Sequence, residues 1–150
     1  MNDKKRNYYM LITPPVDFQI DLENNLPIAG FPDRNANSVK KFKKGDRIVY
    51  YITKKYVFGA ISEVTGEYYY DKSQVWSDWY NLWPHRVETK PIYKIDDFNE
   101  MIKIKNIWDD LNFIKQKKKW GVYVQGSFKY MDDHDYKIIE KEFKKKGAKV

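Results

Sequence analysis

Hydrophobic residues in this chain gather in short dense runs separated by polar stretches that carry Gly, Pro or Asn. The first run, NYYMLI (7–12), reads as a β-strand. VDFQIDLENN (16–25) has the spacing of a short helix, and LPIAGFPDRNAN (26–37) has the Pro, Gly and Asn density of a loop. SVKKFKKGD (38–46) predicts a helical turn ending at Gly45, and RIVYYIT (47–53) is a strand rich in β-branched and aromatic residues. Lys54 and Lys55 divide it from a second strand, YVFGAISEV (56–64). So short a connection predicts an antiparallel hairpin, although two lysines are poor turn chemistry.

HRVETKPIYKI (85–95) is a further strand, which Pro91 assigns to a sheet edge or a bulge. Residues 106–119, NIWDDLNFIKQKKK, put Ile107, Leu111 and Ile114 on one face of a predicted helix whose end carries the cations its dipole favours. WGVYVQGSF (120–128) reads as a short strand or extended loop. DDHDYKIIEKEFKKKG (132–147) carries acids in its first turn, an apolar stripe, lysines in its last turn and Gly147 as a stop, which together predict a helix. Mostly antiparallel strands with helices between and after them give an α+β domain or a small open barrel flanked by helices.

Composition narrows the classes. A chain of 150 residues fits one domain, 1–150, and buries enough surface for a core without disulfides. It has no cysteine, which removes thiol nucleophiles, disulfide scaffolds and cysteine metal sites, and suits a cytoplasmic protein. The longest uncharged run, Asn7 to Val16, contains Pro14 and Pro15, and MNDKKRNYY lacks the apolar core of a signal peptide, so neither a membrane span nor export is expected. The net charge of +7 points to polyanionic partners. Nearly all the cations are lysine, which suits a phosphate backbone better than the bidentate reading of base edges in a groove.

Signals for catalysis are thin. His134 stands among Asp132, Asp133 and Asp135, a group of metal-ligating type that helix capping explains sufficiently. The adjacent pairs Asp96–Asp97 and Asp109–Asp110 have no dyad spacing. Neither a phosphate-loop nor a dinucleotide glycine pattern is present. No cofactor is called for. The strongest local signal is YYYDKSQVWSDWYNLW (68–83), in which seven of sixteen residues are Tyr or Trp. Trp76, Trp79 and Trp83 recur at a spacing that aligns them on one side of a helix, either as a core seam or as a stacking platform for bases.

In order and spacing these segments resemble an EVE domain, a member of the PUA-like superfamily related to the YTH readers of methylated RNA. The resemblance rests on YYMLIT, on AGFPDRNANSVKKFKKGDRIVYYIT, on FGAISEVTGEYYYD, on PHRV and on WGVYVQGSFKYMDDHDYKIIE, and so spans nearly the whole chain. It implies a mixed β pseudo-barrel flanked by helices, whose pocket takes a flipped-out, modified nucleobase without performing chemistry on it. By the same resemblance Gly30, Phe31, Pro32 and Asn37 form one wall, Tyr51, Ile52 and Thr53 another, and Trp120 with Gly126 and Ser127 closes it. The chain has Tyr9 and Ala29 where the family often has Trp, which leaves the loop 68–83 to supply a wall through Tyr69, Trp76, Trp79 or Trp83. His85, a lone loop histidine, is either structural or a further ligand contact.

The expected partner is therefore RNA or DNA, with Lys40, Lys41, Lys43, Lys44, Lys117, Lys118 and Lys119 guiding the phosphates. Two alternatives stay open. One is a metal-dependent nuclease or nucleoside-processing enzyme using Glu63, Glu67 and Asp71, whose spacing would share a face only on a helix. The other is a protein-interaction module that holds methylated lysine by cation-π contact, which a +7 surface disfavours.

Overall fold

The computed structural model of the chain describes residues 5–150. Its centre is a curled mixed sheet built from β1 (Tyr8–Thr13), β2 (Ile28–Phe31), β3 (Arg47–Ile52), β4 (Val57–Val64), β5 (Tyr69–Tyr70), β6 (His85–Lys94), β7 (Ile102–Lys103) and β8 (Phe128–Met131). The main path runs β2-β6-β4-β3-β1-β8, with β5 paired to β6 and β7 paired to β4. β1 and β3 are parallel, and the other pairings are antiparallel. Helices α1 (Pro15–Glu23), α2 (Ala36–Val39) and α3 (Asp133–Lys145) flank it, giving the α+β half-barrel expected for a PUA-like domain. No helix among the described residues is long and apolar enough to cross a membrane.

The strands follow the sequence. In β3 the side chains from Ile48 to Ile52 are all buried, because both faces of this central strand are covered. The β3–β4 hairpin forms through the turn 53–56, where Lys54 and Tyr56 take left-handed φ values of 67° and 60°. That is the expense of a turn without Gly or Asn. Pro91 lies not on an edge but at a break in the β4–β6 register, the bulge its missing N–H allows.

Three segments differ from the expectation. Within 26–37 the structure forms β2 and α2: Ala29 and Phe31 are fully buried and the backbone pairs with β6, so tertiary pairing overrides the loop composition. Residues 106–119 do not make a helix. Ile107, Leu111 and Ile114 are buried as the periodicity implied, but through short 3-10 turns. The buried Asp135 carboxylate accepts the backbone N–H groups of Asn112 and Phe113 at 2.7 and 3.0 Å, and so draws the chain out of a helical path. Residues 117–124 are likewise 3-10, with β8 starting only at Phe128. Helix α3 matches its signals, with Asp132 accepting from the N–H of Asp135 as N-cap.

Candidate functional site

The C-terminal end of β1 runs through Leu11, Ile12 and Thr13 into Pro14, and Pro15 opens α1 at the position where its ring is pre-set for helix. Asp17 and Asp21 are four residues apart and share one face of α1. That face is turned inward: the two residues retain only 5 % and 4 % of their exposure. Across from them lie Gly30 of β2, Ser127 and the indoles of Trp76 and Trp83. Together these residues line a cleft.

The aromatic loop is not a helix, and its three tryptophans do not share a face. Trp76 is buried, Trp83 is half-buried with a left-handed φ of 50°, and Trp79 is 75 % exposed beside the similarly exposed Tyr80. A buried arginine holds the loop in this shape. Arg86, 1 % exposed, donates to the carbonyl oxygens of Leu82, Trp83 and Ser73 and to the Ser73 hydroxyl, and its guanidinium lies 5.3 Å from the Trp76 ring. The planar fork of arginine can meet four acceptors at once, which a lysine cannot. From the other side, Asp17 accepts the Ser77 N–H and hydroxyl at 2.9 and 2.6 Å, and Asp21 accepts Trp76 Nε1–H at 2.8 Å. Strand β6 and helix α1 thus grip the loop between them.

Glycine at 30 has a steric reason. A Cβ there would lie 2.5 Å from Cη2 of Trp76 and 2.8 Å from the Trp83 carbonyl, so only hydrogen lets the indole lie against β2. Burial pushes the Asp21 carboxyl up to about 7, the nearby Asp17 charge adds to this, and the Trp76 hydrogen bond opposes it. At neutral pH the cleft therefore offers a carboxyl able to act as donor or acceptor, beside apolar rings. Tyr50, fully buried beneath, has a hydroxyl with no hydrogen-bond partner among the described residues, and burial together with the Asp21 charge holds its pKa above the usual range.

Of the residues named from sequence, the structure brings Gly30, Trp76, Trp83 and Ser127 to the cleft. Phe31, Tyr51 and Ile52 are core residues; Phe31 packs edge-to-face on Phe42 and Phe128, and Tyr51 on Phe58. Thr53 donates its N–H to the carbonyl of Thr13 and so braces the rim, while Gly126, at φ 91°, sets the turn before Ser127. Pro32 precedes the 3-10 turn 33–35, Asn37 is exposed on α2, and Tyr69 pairs with Arg86 in β5. His85 lies between Tyr68 and Asp33, its Nδ1 2.7 Å from the Tyr68 hydroxyl and its Nε2 2.7 Å from Asp33 Oδ1. Trp120 stands away from the cleft lining, against Tyr56 and Trp108.

The lysines divide. Lys40, Lys43 and Lys44 edge a groove with Tyr68, Lys43 bonded to Asp46, and Lys41 borders a second groove with Tyr130. Lys117, which pairs with Asp109, and the exposed Lys118 and Lys119 belong to the other end of β3, since Trp120 packs on Tyr56 beyond Ile52. Sequence reasoning missed Leu11, Ile12, Thr13, Pro14, Asp17, Asp21 and Arg86. Two acids spaced i,i+4 immediately after Pro-Pro were the legible trace of the carboxyl wall. The nuclease set is dispersed: Glu63 pairs with Arg6 and Arg47, Glu67 borders the lysine groove, and Asp71 lies 3.6 Å from Arg86. Asp132, His134 and Asp135 do converge, but Asp132 and Asp135 are already engaged with backbone N–H groups.

Comparison with known proteins agrees with this architecture. A UPF0310 protein of Pyrococcus abyssi is 31% identical over 145 residues, covering 89% of this chain and 97% of its own. A UPF0310 protein of Pyrococcus horikoshii is 31% identical over 147 residues, with the same coverage. Among solved structures, a Leishmania major protein superposes with TM-score 0.64 at 15% identity over 98% of this chain and 100% of its own. The YTH domain of Zygosaccharomyces rouxii MRB1, in complex with N6-methyladenosine RNA, superposes with TM-score 0.64 at 12% identity over 94% of this chain and 88% of its own. The sequence model of the EVE domain matches residues 7–141, and the chain belongs to the EVE domain family.

Proposed function

We propose that this protein is a non-catalytic nucleic-acid-binding module whose cleft between α1, β2 and the aromatic loop receives a modified nucleobase. The carrying observation is the pairing of Trp76 and Trp83 with the buried carboxyls of Asp17 and Asp21 around Gly30. An indole wall offers apolar area to a methylated base, and buried carboxyls are the polar groups that read hydrogen-bonding edges. The fold shared with YTH domains, one of them in complex with N6-methyladenosine RNA, supports RNA as the carrier. The +7 charge and the exposed lysines of residues 40–44 and 117–119 suit a phosphate backbone.

A second reading has its own observation: carboxyls beside indoles also suit a methylated ammonium ion. The test is to titrate free nucleosides, methylated and unmodified, and a trimethyl-lysine peptide while following the tryptophan indole N–H resonances. A methylated nucleoside is expected to move the Trp76 and Trp83 signals and leave Trp79 in place. Movement with the peptide alone would transfer the cleft to the second reading.

A further inference from the structure

Three rings that the cleft does not use converge on one cation. Lys105 Nζ lies 5.7 Å from the Tyr56 ring, 5.9 Å from Trp108 and 5.7 Å from Trp120. Tyr56 meets Trp120 edge-on at 5.3 Å, and Trp108 meets Trp120 at 5.7 Å with their planes 65° apart. The rings come from three segments: the β3–β4 turn, the 3-10 turn at 108–110 and the 3-10 stretch 117–124. The core accounts for only part of this. Trp108 and Trp120 lean on it, whereas Tyr56 is 47 % exposed and adopts a left-handed φ of 60° that a bulky side chain rarely takes. An exposed aromatic ring held in an unfavourable backbone conformation points to a use outside the core.

The surroundings select the guest. Lys54, Lys55, Lys118 and Lys119 are exposed on the neighbouring turns and outnumber Asp110, the one acid beside Trp108 without an ion pair among the described residues, since Asp109 pairs with Lys117. Lys105 already fills the place a guest cation would take. A cationic peptide is therefore repelled, and a guest with a π-face and an anionic backbone is favoured. Position adds to this. Thr13 lines the cleft and accepts a hydrogen bond from Thr53 N–H, and Tyr56 is three residues beyond Thr53, so about 11 Å of chain at most separates the ring's backbone from the cleft rim. On the other side, the segment carrying Trp120 runs into Ser127, which lines the same cleft.

We propose that Tyr56, Trp108 and Trp120 with Lys105 form a second nucleotide-binding site, a stacking platform that takes an unmodified base and phosphate of the same single strand whose neighbouring base occupies the cleft. The proposal rests on the nucleic-acid reading of the cleft. The platform is tolerant of sequence, because every base has a π-face, and it sets how the strand leaves the cleft.

The test measures binding of single-stranded adenosine trimers and nonamers by fluorescence anisotropy, to the wild-type protein and to Tyr56→Asn, Lys105→Gln and Trp83→Ala. Asn tolerates the left-handed φ at 56, so Tyr56→Asn preserves the turn, and unchanged melting temperatures verify folding. The expected result is that Tyr56→Asn and Lys105→Gln each weaken nonamer binding about 5-fold or more and remove most of the advantage of nonamer over trimer. Nonamer binding by both variants equal to wild type overturns the platform; if Trp83→Ala still loses binding in that case, the cleft reading stands. Absence of nonamer binding by the wild-type protein overturns the platform alone, because the platform takes an unmodified base whereas the cleft reading requires a modified one.

Discussion

The indole N–H of Trp76 donates to Asp21 Oδ1 at 2.8 Å, so one wall of the cleft is fastened to a buried carboxyl of another. Asp21 has a folded-state pKa of about 7 against an ordinary 3.8. Between those values the unfolded chain loses a proton that the folded protein keeps, so stability falls as pH rises from about 4 to about 7 and levels off above. The contribution is about 4 kcal/mol at most, at about 1.4 kcal/mol for each pH unit between the two values. Asp21→Asn keeps an acceptor for Trp76 and removes the titration. Denaturant unfolding from pH 4 to 8 is expected to show a flatter profile for this variant; parallel profiles would mean that Asp21 titrates normally.

Arg86 is the organiser of the aromatic loop. Arg86→Lys keeps the charge but cannot reach the four acceptors at Leu82, Trp83 and Ser73, leaving buried carbonyl groups unpaired. A destabilisation of about 3 kcal/mol or more is expected, with protease cleavage appearing first between residues 71 and 84. Global destabilisation without preferential cleavage there would contradict this role.

Trp76 and Trp79 differ by three positions in sequence and by 7 % against 75 % in exposure. Trp76→Ala is expected to cost about 3–5 kcal/mol and to abolish binding, because it empties the cleft wall. Trp79→Ala should change stability by no more than about 0.5 kcal/mol. Any effect of Trp79→Ala on oligonucleotide affinity then reports direct stacking at the cleft's outer flank. Equal destabilisation in the two variants would mean that the loop repacks in solution.

The lysine groove predicts a salt effect. Replacing Lys40 and Lys44 with Gln should lower the slope of log affinity against log salt by about 0.7 for each phosphate of a single strand that is no longer neutralised. The preference among modified bases should stay unchanged, since these side chains lie outside the cleft lining. A slope identical to wild type would exclude this face from the strand's path.

Much of this architecture is written locally. The strands β1, β3 and β4 and the helix α3 declare themselves through apolar runs, caps and charges that act within a few residues. What escaped was decided at a distance. Residues 106–119 carry a helical stripe, yet Asp135 takes the N–H groups at 112 and 113 from across the chain. The cleft was half legible: Gly30 and Ser127 belong to patterns that a family resemblance exposes, and Trp76 and Trp83 to an excess of rings in one short stretch. Its acidic wall was not, because Asp17 and Asp21 look like the solvated face of a short helix until the loop folds over them. Nor does any sequence pattern show that Arg86 is buried.

The central claim is tested most directly by titrating the protein with single-stranded oligonucleotides that differ only in one base, unmodified or carrying methylated adenine, methylated cytosine or hydroxymethylated cytosine, at low and moderate salt. The prediction is a preference for one modification that survives added salt and disappears in Gly30→Ala, whose Cβ would press 2.5 Å from the Trp76 ring. Binding that is uniform across the panel and vanishes with salt would contradict the claim and reduce the protein's affinity to its basic surface.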